Sequence, residues 1–199
     1  MCTELTWWEK AVDFHGHTCP GLAIGYRASM EALEKLNQER SQDEELVAIV
    51  ENDACGVDAV QVITGCTFGK GNFFYRDVGK QAFTFAVRGR DEGIRTGLKY
   101  GVMDNLAPQG WKELREKVFK GEAGEEEREQ FNQLHHQMTQ RLLEVPLEEI
   151  MDVERTAVEL PEKARIYQTV QCQCCGEGVM EPRTQVDGGS YYCLDCGSN

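Results

Sequence analysis

The chain has 199 residues, of which 41% are hydrophobic and 28% are charged, and its formal net charge is −13. This length predicts one main domain with a smaller unit attached. The acidic balance argues against nucleic acid and anionic membrane surfaces as partners, and no apolar run approaches the roughly 20 residues that a membrane-spanning helix needs. The N-terminal segment lacks the basic and apolar regions of a signal peptide, so we expect a cytoplasmic protein.

Helices and strands are predicted to alternate irregularly along the chain. Apolar residues at three- and four-residue spacing indicate helices, and short apolar runs bounded by turn residues indicate strands. The predicted helices cover residues 5–12, 20–37, 56–63, 109–119 and 125–143, and the predicted strands cover 46–51, 82–87, 94–99 and 149–158. The irregular order favours an α+β fold, with helices packed on a mixed or antiparallel sheet. We predict a core domain over residues 1–165 and a small cysteine module over residues 166–199.

Nine cysteines are present, which is a high and odd number. In a chain without a secretion signal, this content favours metal binding or redox chemistry over disulfides. Cys2 and Cys174 have no partner that the sequence identifies. The other seven fall into two groups, one near the C-terminus and one spread over the first third of the chain.

The C-terminal group has the spacing C-x2-C-x17-C-x2-C. Each C-x2-C pair can form a tight knuckle, and four thiolates complete the tetrahedral shell of zinc without leaving a position for a substrate. Because so short a segment cannot bury enough apolar surface to fold without its metal, a structural zinc site is favoured. The functional alternatives are a rubredoxin-like iron site for electron transfer and nucleic-acid binding. The second is disfavoured because the segment has four acidic side chains against Arg183 alone. The predicted ligands are Cys172, Cys175, Cys193 and Cys196.

A second group of metal ligands begins near the N-terminus, where His15, His17 and Cys19 alternate. In an extended segment such residues point to the same side. Cys19 also precedes a predicted helix, whose N-terminus favours the thiolate form of the cysteine. Cys55, at a strand-to-helix junction, and Cys66, in a Gly-rich loop, can complete the group. We therefore predict a functional site here, in which Cys19 is a metal ligand or a nucleophile.

Further polar residues can take part in such a site. An anionic substrate would be positioned by Arg27, Asp58, Thr67 and Lys70. His135 and His136 lie in the middle of a predicted helix, and we interpret them as one surface and one half-buried histidine without a metal role.

Two long motifs resemble one known family. They are FHGHTCPGLAIGYR at residues 14–27 and the segment NDACGVDAVQVITGCTFGKGN at residues 52–72, and Gly79-Lys80 fits the same pattern. Together with the C-terminal module, the resemblance to the FmdE family of formylmethanofuran dehydrogenase components spans nearly the whole chain. It implies an α+β core domain, commonly dimeric, followed by a small treble-clef-like zinc module.

The resemblance also implies a second metal site in the core. Its best candidate ligands are His17 and Cys19, then Cys55, with His15 and Cys66 as further candidates, and the metal is expected to be zinc or another transition metal. The chain departs from a treble clef after its last cysteine, where three residues are too few for the helix that normally follows. A zinc ribbon and a truncated clef therefore fit the module equally well.

Three functions are compatible with these observations. The first is a metal-binding protein that serves a redox enzyme as an accessory or electron-transfer component. The second is a stand-alone metalloenzyme that uses an open metal position in the core, and the third is a regulatory protein whose zinc finger binds a partner. The expected partners are a second copy of the chain, in a homodimer, and a redox-enzyme complex, without nucleic acid or a membrane. Whether the protein is an enzyme stays open.

Overall fold

The computed structural model describes residues 4–197, so Cys2 lies outside the described residues. Contacts within the chain divide it between Lys163 and Ala164 into a larger N-terminal unit and a small C-terminal unit. Within the part that the structure describes, no helix is long and apolar enough to cross a membrane.

One mixed sheet forms the centre of the larger unit. Its strands are β1 Leu46–Val50, β2 Phe73–Tyr75, β3 Ala82–Val87, β4 Glu92–Leu98 and β5 Met151–Ala157. Their order in the sheet is β2-β1-β3-β4-β5. β1 and β2 are parallel, and the other neighbouring pairs are antiparallel. Each strand that the sequence predicts is present, with ends displaced by at most a turn residue or two.

Helices pack on this sheet and on one another around one main apolar core and two smaller apolar clusters. They are α1 Trp7–His15, α2 Pro20–Leu36, α3 Gly56–Thr64, α4 Val102–Leu106, α5 Trp111–Phe119, α6 Glu125–Glu144 and α7 Leu147–Ile150. Phe83 and Phe85 of β3 and Met138 and Leu142 of α6 are fully buried in this core. The α+β prediction is therefore confirmed.

The sequence pattern does not predict three short elements, α4, α7 and β2, which have five, four and three residues. Periodicity needs a longer window, and β2 exists because it pairs with β1, where Phe73 lies opposite Ala48. α1 also starts and ends later than predicted. A capping box between Thr6 and Glu9 fixes its start, and the helix continues to His15.

Glycines allow α2 and α3 to approach each other closely. A Cβ atom on Gly25 would overlap the backbone of Gly56, so no larger residue fits there without moving one helix. One turn earlier, a Cβ atom on Gly21 would lie 3.2 Å from the Cβ atom of Cys55. The close approach therefore sets Cys55, which precedes α3, beside the first turn of α2.

A paired carboxylate lies just after β1. Glu51 accepts hydrogen bonds from Nε and Nη2 of Arg95 at 2.9 Å and 3.0 Å, and this pairing lowers the pKa of the Glu51 carboxyl. We expect Glu51→Gln to reduce the free energy of unfolding at neutral pH by about 1–2 kcal/mol, measured by urea denaturation. A carboxyl whose pKa is lowered by folding stabilises the protein above its unfolded pKa and loses that effect as the pH falls through its folded pKa. The difference between variant and wild type should therefore shrink in acid.

Glu154→Gln is the matched control, because Glu154 lies opposite Arg95 in the register of β4 and β5 but is exposed. Its loss should cost less than about 0.5 kcal/mol, as for other exposed charges. Equal losses in the two variants would contradict the assignment of the stabilising pair to Glu51.

The C-terminal unit consists of two hairpins and one helical turn. β6 Thr169–Gln171 pairs with β7 Gly178–Met180, and β8 Thr184–Asp187 pairs with β9 Ser190–Cys193. α8 Leu194–Gly197 follows directly. Two of the predicted zinc ligands lie in the first hairpin, one ends β9 and one lies in α8.

Candidate metal centres

The C-terminal unit brings its four-cysteine cluster together. One ligand atom from each residue lies within 4.8 Å of the others, for Cys172, Cys175, Cys193 and Cys196. Backbone N–H groups of Cys175 and Cys193 lower the pKa of Cys172 to about 6, whereas a hydrogen bond with the Cys193 thiol raises the pKa of Cys196. Four sulfur atoms this close repel one another when ionised, unless a cation lies between them. The donor set and its spacing are those of a structural zinc site.

The N-terminal group forms around the junction of α1 and α2. α1 ends at His15, and Gly16 reverses the chain with a φ of +90°, which favours glycine. Cys19 then takes the N-cap position of α2 in an extended conformation, and its sulfur accepts a hydrogen bond from the N–H of Leu22 at 3.3 Å. A cysteine thus does here what Ser or Asp usually does at a helix N-terminus.

Three side chains converge at this junction. Ligand atoms of His15, His17 and Cys19 all lie within 4.8 Å of one another. Nε2 of His15 is 3.7 Å from the sulfur of Cys19, and the two imidazole rings lie 4.4 Å apart. The alternation in sequence predicts this grouping by assuming that the three residues lie in one extended segment. That assumption is wrong, because His15 belongs to a helix. The turn at Gly16, rather than one extended segment, brings the three together.

Asp58 orients the first of these histidines. Its carboxylate, on α3, lies 2.7 Å from Nδ1 of His15. A carboxylate only accepts hydrogen bonds, so Nδ1 carries the proton and Nε2 is left as a lone-pair donor on the side of Cys19. This arrangement is typical of metal-binding histidines, whose second nitrogen is fixed by a carboxylate. The sequence places Asp58 near the site but does not reveal this role.

Cys55 lies beside the group, whereas Cys66 does not. The thiol of Cys55 is hydrogen-bonded with that of Cys19, and burial is the main cause that raises the pKa of Cys19 to about 11. Cys66 is fully buried in the main core, and its thiol donates to the carbonyl oxygen of Leu46 at 3.3 Å. The chain after α3 turns it toward β1. The structure therefore corrects the inclusion of Cys66 in the core site.

Three of the residues predicted to position an anionic substrate have other roles. The guanidinium of Arg27 donates to carbonyl oxygens at the end of α6, including that of Leu142 at 2.8 Å. The Lys70 ammonium donates to the carbonyl oxygen of Ser41 at 3.2 Å. Thr67 caps a short 3-10 turn. These polar groups satisfy backbone atoms, and the structure does not bring them to the N-terminal group.

A cavity of about 610 Å³ opens beside the N-terminal group. His17, Cys19 and Cys55 line it together with side chains of α4, α5 and α6. Among the latter is His135, half-buried as predicted, whose Nδ1 accepts a hydrogen bond from Nε1 of Trp111 at 3.4 Å. Burial lowers the pKa of His135. No sequence signal links His135 to residues more than a hundred positions earlier, and its place in this cavity is not predicted.

An α+β core with a cluster of imidazole and thiol groups, followed by a four-cysteine finger, defines a class of metal-binding protein. Family models match both parts of the chain. Residues 14–152 match the model described as FmdE, molybdenum formylmethanofuran dehydrogenase operon. Residues 165–198 match the prokaryotic dksA/traR C4-type zinc finger. The chain belongs to the FmdE family, which confirms the resemblance seen in its motifs.

Two known proteins are similar to most of this chain. One is named probable S-adenosyl-L-methionine-binding protein, from Archaeoglobus fulgidus, and is 36% identical over 196 residues, covering 93% of this chain and 53% of the relative. The chain thus spans about half the length of that relative. The other is a crystal structure of a tungsten formylmethanofuran dehydrogenase FmdE-like protein from Syntrophus aciditrophicus. It matches with a TM-score of 0.62 and 27% identity, covering 96% of this chain and 90% of that one.

Proposed function

We propose that the core unit is an open metal centre that handles a small molecule. A transition-metal ion would be held by His15, His17 and Cys19, with Cys55 beside them. The observation that carries this proposal is that His15, His17 and Cys19 converge, and that His17, Cys19 and Cys55 line a cavity of about 610 Å³. Such a volume is typical of small-molecule sites. An open position beside the ligands favours the metalloenzyme hypothesis over a closed site.

The donor set fits a transition metal. One thiol and two imidazoles are ligands that suit zinc and its neighbours, and Asp58 holds His15 in the tautomer that a metal needs. The N–H of Leu22 donates a hydrogen bond to the sulfur of Cys19 and so steadies it. A metal bound here supplies a Lewis acid for a group that enters from the cavity.

Cobalt substitution tests whether the centre is open. We expect Co²⁺ to give a tetrahedral spectrum at both sites and azide to change the spectrum of the core site alone, because the four-cysteine site has no free position. The variant Cys175→Ala isolates the core signal. A core spectrum that azide leaves unchanged would overturn the open centre.

An accessory or electron-transfer role in a redox enzyme is the second candidate. It is supported by membership in a family described by the formylmethanofuran dehydrogenase operon. Anaerobic purification, metal analysis and visible absorption before and after reduction provide its test. A redox-active metal with a reversible spectral change supports this role, and zinc alone under every growth condition excludes direct electron transfer.

Two further parts of the proposal need direct measurement. The name of the Archaeoglobus fulgidus relative makes S-adenosyl-L-methionine a candidate ligand, which equilibrium dialysis with and without metal can test. Absence of binding under both conditions would remove this candidate ligand for the chain. We also propose a cytoplasmic homodimer, supported by the dimers common in the family, and sedimentation velocity measures the mass.

Replacing Asp58 by alanine should weaken metal binding at the core site. Loss of a carboxylate that orients a ligating histidine typically costs about 10–100-fold in affinity. Competition with a chromophoric chelator measures this change, and the C-terminal site should keep its affinity. Asp53→Ala is the control, since Asp53 is an exposed acid on a neighbouring cavity wall. Equal weakening by both variants would show a general charge effect instead of an orienting role.

A further inference from the structure

Aromatic side chains line this cavity together with the candidate metal ligands. Among them, Trp111 of α5 and Phe131 of α6 are buried, and the ring of His135 stacks on Trp111 with centroids 6.1 Å apart and planes 12° apart. Phe119, at the end of α5, also lines the cavity but is 70% exposed. A large apolar side chain left open beside a cavity gains by being covered by an apolar ligand.

Arg115 also lines this cavity, between two of these rings. Its guanidinium is 5.4 Å from the ring centroid of Trp111 and 5.0 Å from that of Phe119. Among residues 4–197, no carboxylate lies within ion-pair distance of it. The other cation of the cavity, Lys112, is paired with Asp104 at 2.7 Å. Arg115 is thus a cation held by aromatic contacts with its hydrogen-bond donors still available.

We propose that this cavity binds a small organic anion with a flat aromatic body. The aromatic body of the anion packs against Phe119, Trp111 and Phe131. Its anionic group pairs with the guanidinium of Arg115. The opposite end of the bound anion then reaches Cys19 and the other candidate metal ligands. Only this last placement rests on the proposed metal centre. His135 contributes a hydrogen-bond donor at Nε2, because its Nδ1 accepts the hydrogen bond from Trp111.

Two fluorescent probes separate the roles of charge and aromatic surface. One is 8-anilinonaphthalene-1-sulfonate, and the other is N-phenyl-1-naphthylamine, which has the same rings without the sulfonate. We expect Arg115→Gln to weaken binding of the sulfonate by about tenfold and of the uncharged probe by less than about twofold. Phe119→Ala should weaken both probes. Lys120→Gln removes the same charge at the end of the same helix, outside the cavity lining, and should change neither.

Glu116 also lines the cavity, and a variant at this position tests whether the bound molecule carries a negative or a positive charge. We expect Glu116→Gln to leave binding of the sulfonate unchanged or to tighten it. Equal effects of Arg115→Gln on the two probes, or tighter binding after loss of Arg115, would overturn an anionic ligand. Unfolding midpoints by circular dichroism show that each variant stays folded.

Metal analysis of the same variants keeps this inference apart from the proposed metal centre. Arg115→Gln should retain both metals, because the residue offers no ligand to either site. Loss of selectivity for the sulfonate in a fully loaded protein is the result that the inference predicts. If the protein binds no metal in the core but still discriminates between the two probes through Arg115, the proposed metal centre is overturned and the anion-binding inference stands.

Discussion

Replacing Cys19 by alanine is expected to remove the core metal and to leave the C-terminal zinc in place. Cys19 supplies the one thiol that lies within 4.8 Å of both histidines, and its sulfur is fixed by the first turn of α2. The two remaining imidazoles give a much weaker site, because a transition metal of this class needs at least three protein ligands. Metal content per chain, measured by mass spectrometry of the dialysed protein, should fall by one equivalent.

Cys66→Ala is the matched control for this experiment. Cys66 is also a buried thiol whose pKa burial raises to about 11, but it bonds to Leu46 in the main core. Its loss should reduce stability modestly and keep both metals. Unchanged metal content in Cys19→Ala would contradict the core site, and loss of one equivalent in Cys66→Ala would return Cys66 to the ligand set.

Replacing Cys175 by alanine should release the C-terminal zinc and unfold that unit while the core unit stays folded. The unit has two short hairpins and buries little apolar surface, so its stability comes from the metal, which contributes roughly 10 kcal/mol in comparable fingers. The larger unit has its own sheet and apolar core. Hydrogen exchange should show loss of protection in residues 164–197 alone.

Cys174→Ala is the control for the finger. Cys174 is the neighbour of Cys175, is exposed and is not one of the four clustered ligands, although its thiol approaches Cys196. This variant should keep its zinc and its fold. If Cys175→Ala also melts the core, the finger is a structural clip for the whole chain. If the core unit stays folded but the variant no longer binds a protein partner, the finger is a docking surface.

The sequence predicts those parts that depend on residues close together in the chain. The C-x2-C pairs, the start of α2 at Pro20 and the strand at Leu46–Val50 all follow from local spacing and turn residues. The core site is predicted in part, because His15, His17 and Cys19 are also neighbours. Its orienting carboxylate Asp58 comes from another helix.

The remaining features depend on contacts between distant segments. β2 forms only because β1 is there to pair with it, and Cys66 turns inward only because the chain after α3 packs on the sheet. The cavity wall that carries Arg115 and His135 comes from helices that follow the sheet strands. Periodicity and spacing contain no information on which distant faces meet, so these features require the structure.

The close contact between Gly25 and Gly56 fixes the distance between α2 and α3, and so affects the candidate metal site in the core. It sets the separation of two helices whose N-cap residues are Cys19 and Cys55. A methyl group at either glycine would push their thiols apart without touching a ligand. In a mutant library selected for metal loading, substitutions at both glycines should therefore be lost as often as substitutions at a cysteine ligand. Such a screen would identify the two glycines as residues of the site.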